Sequence, residues 1–90
     1  MYNIKESNRA RKALKKAPRE VKKRFLVWKR IIENDRPNSL RLIRGFNDEA
    51  LKGEWQGYRS SRLGKRWRVI YLIDKEDLIV YIVEINPHKY

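Results

Sequence analysis

Three arginines, one glutamate and one histidine are the side chains of this chain best suited to chemistry. Arg59, Arg62 and Arg68 lie close together in the sequence. Glu49 lies shortly before them, and His88 is the only histidine. A guanidinium presents a planar fork of N–H donors that matches phosphate oxygens, and a carboxylate or imidazole can move a proton. This combination is suited to cleaving an RNA phosphodiester without a metal: a base activates the 2′-OH, cations stabilise the charge on phosphorus, and an acid protonates the leaving 5′-oxygen.

The assignment of the acid and the base stays open on the residues alone. His88, Glu49 and Tyr90 are all candidates, and Tyr90 needs neighbouring cations, since the pKa of a phenol is ordinarily near 10. The candidates for contacts to the substrate are Lys52, Arg62, Trp55 and Lys89. Trp55 lies in a polar segment, where packing over the edge of a sheet is favoured over stacking on a base.

The charge of the chain favours a polyanionic partner. Its 90 residues hold 23 Lys and Arg against 11 Asp and Glu, a net charge of +12. Residues 1–30 carry twelve of these cations against Glu6 and Glu20, so the positive field is concentrated in the N-terminal third. A hydrophobic content of 41% is too high for a disordered basic tail. We therefore predict a folded domain whose partner is nucleic acid first, and an anionic membrane surface or an acidic protein second.

Several protein classes are excluded by composition. Without cysteine there is no disulfide framework, thiolate metal site or cysteine nucleophile, and one histidine cannot build a His-rich metal centre. The chain has no glycine-rich nucleotide-binding motif, so no cofactor is expected. No apolar run approaches the roughly 18 residues of a membrane span, and the N-terminus has no apolar signal region. We expect a cytoplasmic protein with no membrane partner.

Two helices are predicted in the first part of the chain, over residues 8–17 and from Pro18 to about Asn34. Apolar residues recur there at spacings of three and four, which is typical of one buried helix face. These positions are Ala10, Ala13, Leu14 and Ala17 in the first helix, and Val21, Phe25, Trp28 and Ile32 in the second. Residues 39–44 are predicted to form one further turn, and residues 45–57 an irregular segment.

The remaining sequence is strand-like. The predicted strands are residues 58–63, 66–73 and 78–85, with a short fourth strand at Tyr2 and Ile4. Helices followed by an antiparallel meander indicate an α+β fold, in which an N-terminal helical hairpin packs on one face of a small antiparallel sheet of three to four strands. We expect a single domain over residues 1–90, with the second face of the sheet open.

The turn between the first two of these strands decides which side chains reach the open face. A two-residue turn at 64–65 is favoured because glycine comes first. Strand alternation then puts Arg59 and Arg68 together on the open face. It puts Arg62 on the opposite face with Trp67, where the guanidinium is placed to stack on the indole.

The segment DEALKGEWQGYRSSRL (residues 48–63), followed by WRVIY (67–71) and PHKY (87–90), is similar to a known family. It resembles the RelE/ParE superfamily of bacterial type II toxins, and in particular the RelE-, YoeB- and HigB-like mRNA interferases. The similarity covers nearly the whole chain, and the pattern LKG…GYR…R…WRVIY is its most specific part.

The resemblance implies a compact toxin that enters the ribosomal A site and cuts the mRNA there without a metal. The products implied are a 2′,3′-cyclic phosphate or 3′-phosphate and a 5′-hydroxyl. It also implies a cognate antitoxin, operator DNA bound only through the toxin–antitoxin complex, and contacts of the basic N-terminal helices to 16S rRNA.

The resemblance further implies roles for individual residues. Arg68 would bind and stabilise the scissile phosphate, and Arg59 falls where RelE-like toxins carry a catalytic lysine. Glu49 falls where YoeB-like toxins carry a glutamate general base. Lys52 matches the lysine of the Leu-Lys-Gly motif, a phosphate contact.

The C-terminus departs from the family pattern. His88 and Tyr90 resemble the His-Tyr pair of YoeB-like toxins, but here Lys89 separates them. Ser61 stands where several relatives carry a basic residue. These departures leave the general acid open between the two, and we prefer His88 to Tyr90.

Two other functions remain compatible with the sequence. One is a ParE-like inhibitor that binds DNA gyrase without nuclease chemistry, and the other is a plain RNA- or DNA-binding module. A shared fold cannot separate them, because function depends on the site. The combination of Arg59, Arg68, His88 and Glu49 favours the nuclease.

Overall fold

The computed structural model describes residues 1–87 and contains two helices and a five-stranded sheet. The helices are α1 (Asn8–Lys15) and α2 (Arg19–Asn34). The strands are β1 (Asn3–Glu6), β2 (Glu49–Ala50), β3 (Arg59–Arg62), β4 (Trp67–Asp74) and β5 (Ile79–Pro87). Short 3₁₀ turns lie at Pro37–Leu42, Arg44–Phe46 and Gly53–Trp55.

The sheet has the order β1-β5-β4-β3-β2. β1 runs parallel to β5, and all other neighbours are antiparallel. The α+β class and the short N-terminal strand are confirmed. The expected antiparallel sheet of three to four strands is corrected to a mixed sheet of five. It is mixed because β1 pairs parallel to β5, and it has a fifth strand because the segment predicted to be irregular contains β2. That strand is two residues long, too short to show an alternating pattern.

Both helices form where the apolar spacing places them. The Ser7 hydroxyl accepts the N–H of Ala10 at 3.0 Å and so caps α1. The same hydroxyl donates to the Val83 carbonyl at 2.9 Å, which fixes the start of the helix to β5. α2 begins directly after Pro18, where the missing N–H costs no helical hydrogen bond. Within residues 1–87, no helix is long and apolar enough to cross a membrane.

The core lies between the helices and one face of the sheet. Trp28 of α2 is at its centre, fully buried. Its ring stacks on Phe25 at a centroid distance of 5.7 Å and meets the edge of Tyr71 from β4 at 5.2 Å. The predicted buried positions Val21, Phe25, Trp28 and Ile32 all lie in this core. The helices therefore cover one face of the sheet, and the site must be sought on the other.

The turn between β3 and β4 is longer than the sequence predicts. Arg62 pairs with Arg68, and the N–H of Leu63 donates to the Trp67 carbonyl at 2.8 Å, so residues 64–66 form the turn. Leu63 is 1% exposed, which means that its side chain belongs to the core. Burying this leucine fixes the register, because a slip of one residue would move it to the solvent face.

The longer turn changes which arginines share a face. Arg59 alternates with Ser61 and Leu63, so it follows them onto the helix-covered side. Arg62 joins Arg68 on the open side. The prediction that Arg59 and Arg68 share the open face is therefore wrong, and so is the prediction that Arg62 faces away from Arg68.

Candidate active site

A small pocket of about 40 Å³ lies on the open face, where β3, β4 and the segment leading into β2 meet. It is lined by Asn47, Glu49, Ser60, Arg62, Lys65, Arg66, Trp67 and Arg68. Four of these residues are cations and one is a carboxylate. Such a lining attracts an anion and supplies one group able to accept a proton.

Strand pairing brings the polar groups of the pocket together. Glu49 of β2 lies opposite Ser60 of β3, and Arg62 of β3 lies opposite Arg68 of β4. Ser60 and Arg62 are two residues apart on one strand, so both point to the same face. The glutamate and both arginines therefore stand on adjacent strands of a single surface.

Arg68 carries a hydrogen-bond donor that no described residue satisfies. Its Nε atom is buried, and no partner for it exists among residues 1–87. A buried donor without a partner costs roughly 1–3 kcal/mol. A second cation, Arg62, is paired with Arg68 across β3 and β4, and both side chains line the pocket, which therefore favours an anion.

Arg59 lies outside this pocket and forms a buried ion pair. Its Nε and Nη2 atoms donate to Oδ1 of Asp48 at 2.8 and 2.7 Å. The Asp48 side chain is fully buried, and that of Arg59 is 17% exposed. Burial by itself lowers the pKa of Arg59, but the hydrogen bond and charge of Asp48 outweigh it and raise the pKa above its usual value. The ion pair thus holds Arg59 against the buried carboxylate of Asp48 and away from the pocket.

The second oxygen of Asp48 completes a buried polar network. Oδ2 accepts from the Ser61 hydroxyl at 2.6 Å and from the Tyr71 hydroxyl. The indole N–H of Trp28 donates in turn to the Ser61 oxygen at 2.9 Å. Burial, and then the charge and hydrogen bond of Asp48, raise the pKa of Tyr71, with Arg59 acting in the opposite direction.

Sequence reasoning missed Asp48, although a signal for it exists. Arg59 and Ser61 share a strand face with the apolar Leu63, and polar groups on a core-facing strand require a buried partner. A carboxylate close in sequence is the natural partner for such an arginine. Asp48 is the acidic residue that the fold brings to this face.

The loop candidates do not line the pocket. Lys52 is exposed at the start of a 3₁₀ turn. Trp55 meets the ring of Tyr58 edge-on at a centroid distance of 5.3 Å. This contact agrees with the expectation that Trp55 packs at the edge of the sheet. Gly57 reverses the chain here at φ 96°, a left-handed conformation that favours glycine.

Three predicted site residues lie outside the described chain: His88, Lys89 and Tyr90. The last described pairs of the sheet are Arg68 with Asn86 and Trp67 with Pro87. β5 therefore runs alongside Arg68 as far as the structure describes it.

Five residues that were not site candidates from the sequence also line the pocket: Asn47, Ser60, Lys65, Arg66 and Trp67. Asn47 adopts a left-handed conformation with φ 42°, which asparagine tolerates better than most residues. Lys65 and Arg66 come from the turn after β3, so the unexpected length of that turn also accounts for their presence.

The described residues can bind an oxyanion and accept a proton. Among residues 1–87, no group of three or more His, Cys, Asp or Glu side chains is arranged to hold a metal ion. The groups that do converge are the two guanidinium groups and the carboxylate of Glu49. Guanidinium groups of this kind can bind an oxyanion, and a carboxylate beside them can accept a proton.

Comparison with known proteins places this architecture in a family. Residues 4–89 match the family described as ParE toxin of type II toxin-antitoxin system, parDE. No curated protein matches the sequence. The fold is similar to that of YafQ from E. coli, with a TM-score of 0.76 and 20% identity over 97% of this chain and 93% of that one.

Two toxin–antitoxin complexes have similar chains. The archaeal RelE-RelB complex from Pyrococcus horikoshii gives a TM-score of 0.75 and 28% identity over 96% of this chain and 93% of that one. The E. coli DinJ-YafQ complex gives a TM-score of 0.74 and 24% identity over 97% of this chain and 92% of that one. With the family match over nearly its whole length, the chain belongs to the RelE/ParE superfamily of type II toxins.

Proposed function

We propose that this toxin is a ribosome-dependent mRNA endonuclease of the cytoplasm. The observation that carries the proposal is the pairing of Arg62 with Arg68 across β3 and β4, with Glu49 lining the same pocket. An inhibitor that only binds another protein does not need a general base beside two phosphate-binding groups. An RNA-cleaving enzyme needs all three.

In this mechanism the arginines hold the scissile phosphate. The Arg68 guanidinium, which lines the pocket, donates to one phosphate oxygen, and Arg62 supplies a second positive charge from the facing strand. Negative charge grows on these oxygens in the pentacovalent transition state. Donors already fixed in place stabilise it without reorganising, and loss of one such donor typically slows a reaction roughly 10²- to 10³-fold.

Glu49 acts as the general base. Its carboxylate removes the proton of the 2′-OH, the 2′-oxygen forms a bond to phosphorus, and the bond to the 5′-oxygen breaks. The products are a 2′,3′-cyclic phosphate and a 5′-oxygen that must take up a proton. The family resemblance assigns this proton to His88, with Tyr90 as the second candidate. The reaction uses no cofactor and no metal.

The ribosome supplies the positioning that the small pocket lacks. The basic helical hairpin carries a set of exposed cations: Arg9, Arg11, Lys12, Lys15, Lys22 and Lys23. We infer that these side chains contact 16S rRNA and bring the open face to the mRNA in the A site. Cleavage of free RNA should be slow, because proximity supplies a large part of the catalysis.

A cognate antitoxin is the second proposed partner. The RelE-RelB and DinJ-YafQ structures are both complexes of a toxin with an antitoxin. The antitoxin would neutralise this protein, and the toxin would reach operator DNA only as part of the complex.

The experiment that tests the proposal is primer extension on translating mRNA after induction of the toxin. The wild-type chain should produce new in-frame 5′ ends. Arg68→Ala should produce none while remaining folded. Lys75→Ala, in the exposed turn after β4, is the matched control and should behave as wild type. New 5′ ends that persist in a folded Arg68→Ala variant would contradict the proposed role of the pocket.

A gyrase inhibitor is the second candidate, because the matching family is described as ParE toxin. It predicts intact transcripts together with DNA damage in the same induced cells. A plain nucleic-acid-binding module predicts tight, salt-sensitive binding with neither cleavage nor DNA damage.

A further inference from the structure

Little holds β2 on the sheet through its own side chains. Glu49 and Ala50, which make up the whole strand, are both exposed. Their backbone pairs with Ser60 and Arg59, and the N–H of Leu51 donates to the Tyr58 carbonyl at 2.9 Å. An edge strand this short gains little from pairing alone.

The residue before the strand provides the anchor. The Asp48 side chain enters the core, is fully buried, and accepts hydrogen bonds from Arg59, Ser61 and Tyr71. Trp28 of α2 extends the network through Ser61. Asp48 is thus joined to three elements, β3, β4 and α2.

We propose that Asp48 is a positioning residue for Glu49, and that its buried network sets the place of the general base in the pocket. Alternation along the strand links the two carboxylates: when one side chain points into the core, the next points to the open face. The inference rests on the proposed function, since it takes Glu49 as the base.

The geometry explains why this coupling is strong. The three residues that donate to Asp48 lie on β3 and β4, the strands that also carry Ser60, Arg62 and Arg68. The same two strands therefore position both Glu49, through Asp48, and the phosphate-binding arginines. A shift of about 1 Å in a reacting group can lower a rate roughly 10²-fold. Freeing Asp48 should move Glu49 relative to the arginines and leave the arginines in place.

A double-mutant cycle separates positioning from a general contribution to stability. Single-turnover cleavage on programmed ribosomes is measured for wild type, Asp48→Asn, Glu49→Gln and the double variant. We expect Asp48→Asn alone to slow cleavage about 10²-fold, and to slow it less than about threefold when Glu49 is already glutamine. Rate losses that multiply in the double variant would overturn the inference.

Substrate affinity distinguishes the positioning of Glu49 from general damage to the fold, because general damage would weaken binding as well as slow cleavage. An mRNA with 2′-deoxyribose at the cleaved position binds but cannot react. Its dissociation constant should change less than about threefold in Asp48→Asn, because Arg62 and Arg68 still bind the phosphate. Weakening of this affinity in proportion to the rate would overturn the inference.

Milder variants cover the case in which Asp48→Asn fails to fold. Tyr71→Phe and Ser61→Ala each remove one donor to Asp48 without leaving a buried charge unpaired. Both should follow the same kinetic pattern with smaller losses. Glu6→Gln is the matched control, since it removes the Lys29 ion pair from another part of the molecule and should leave the rate unchanged.

Hydrogen exchange tests the inference independently of cleavage. The amide of Leu51 bonds across β2 and β3, so NMR should show it exchanging at least about tenfold faster in Tyr71→Phe and Asp48→Asn than in wild type. Unchanged protection in both variants would overturn the inference. A wild-type protein that does not cleave, or a Glu49→Gln variant that cleaves normally, would instead overturn the proposed function.

Discussion

Arg59 and Arg68 lie on neighbouring strands but on opposite faces, so their replacement should damage different properties. Arg59→Leu leaves Asp48 fully buried without its counter-charge and removes hydrogen bonds of 2.7 and 2.8 Å. Breaking a buried ion pair by removing one partner costs roughly 3–5 kcal/mol. Because Arg59 retains 17% exposure, we expect the lower end, about 3 kcal/mol.

That loss is a large part of the stability of a small domain, which is typically about 5–15 kcal/mol. At roughly 4–8 °C per kcal/mol for a domain of this size, the Tm should fall by about 12–24 °C. Arg68→Ala should behave differently, because the Nε that it removes has no partner among residues 1–87. Removing this unsatisfied donor relieves its cost, so we expect the variant to be no less stable than wild type. Its cleavage rate should fall at least about 100-fold.

Urea unfolding of the purified variants, followed by tryptophan fluorescence, measures the loss of stability. Single-turnover cleavage on ribosomes measures the loss of activity, at a temperature where both variants are folded. The reasoning would be refuted by an Arg59→Leu variant that unfolds at the wild-type urea concentration. It would equally be refuted by an Arg68→Ala variant that loses about 3 kcal/mol while its cleavage persists.

Three other substitutions give measurable expectations. Burial and the adjacent carboxylate raise the pKa of Tyr71 above the usual 10.0, so the folded state favours the neutral phenol. Stability that is complete below about pH 10 should therefore be lost as the pH rises further, and urea titrations of Tyr71→Phe should lack this loss. A Cβ at residue 45 would clash with Nη2 of Arg24, whose guanidinium lies 4.4 Å from the centre of the Phe46 ring. Gly45→Ala should cost up to about 1 kcal/mol in urea unfolding and nothing more in an Arg24→Ala background. His88→Gln should slow single-turnover cleavage about 100-fold, and an unchanged rate would move the acid role to another group.

The helices could be predicted from the sequence because their signals are local. Apolar spacing, a serine cap and a proline at the start of α2 each act over a few residues. Trp28 and Phe25 belong to that pattern, and both lie in the core as expected. The family resemblance also rests on contiguous motifs, and the family match over residues 4–89 agrees with it.

The face of each arginine could not be predicted in the same way, because it depends on the length of one turn. Glycine at position 64 favours a two-residue turn, but the buried side chain of Leu63 selects a register with three. One added residue in the turn exchanges Arg59 for Arg62 beside Arg68. β2 could not be predicted either, because its two residues show no strand pattern. What holds it on the sheet is the tertiary network around Asp48.

The adjacent carboxylates show how a small sheet keeps stability and chemistry apart. Asp48 and Glu49 are neighbours in the chain, yet one is enclosed by donors in the core and the other is exposed beside two arginines. Had both faced the pocket, the second carboxylate would have neutralised part of the positive charge that the phosphate needs. Strand alternation prevents this, because it assigns Asp48 and Arg59 to one face and Glu49 and Arg62 to the other. The same alternation couples the two faces, since the buried network that holds Asp48 also fixes the backbone of its neighbour Glu49.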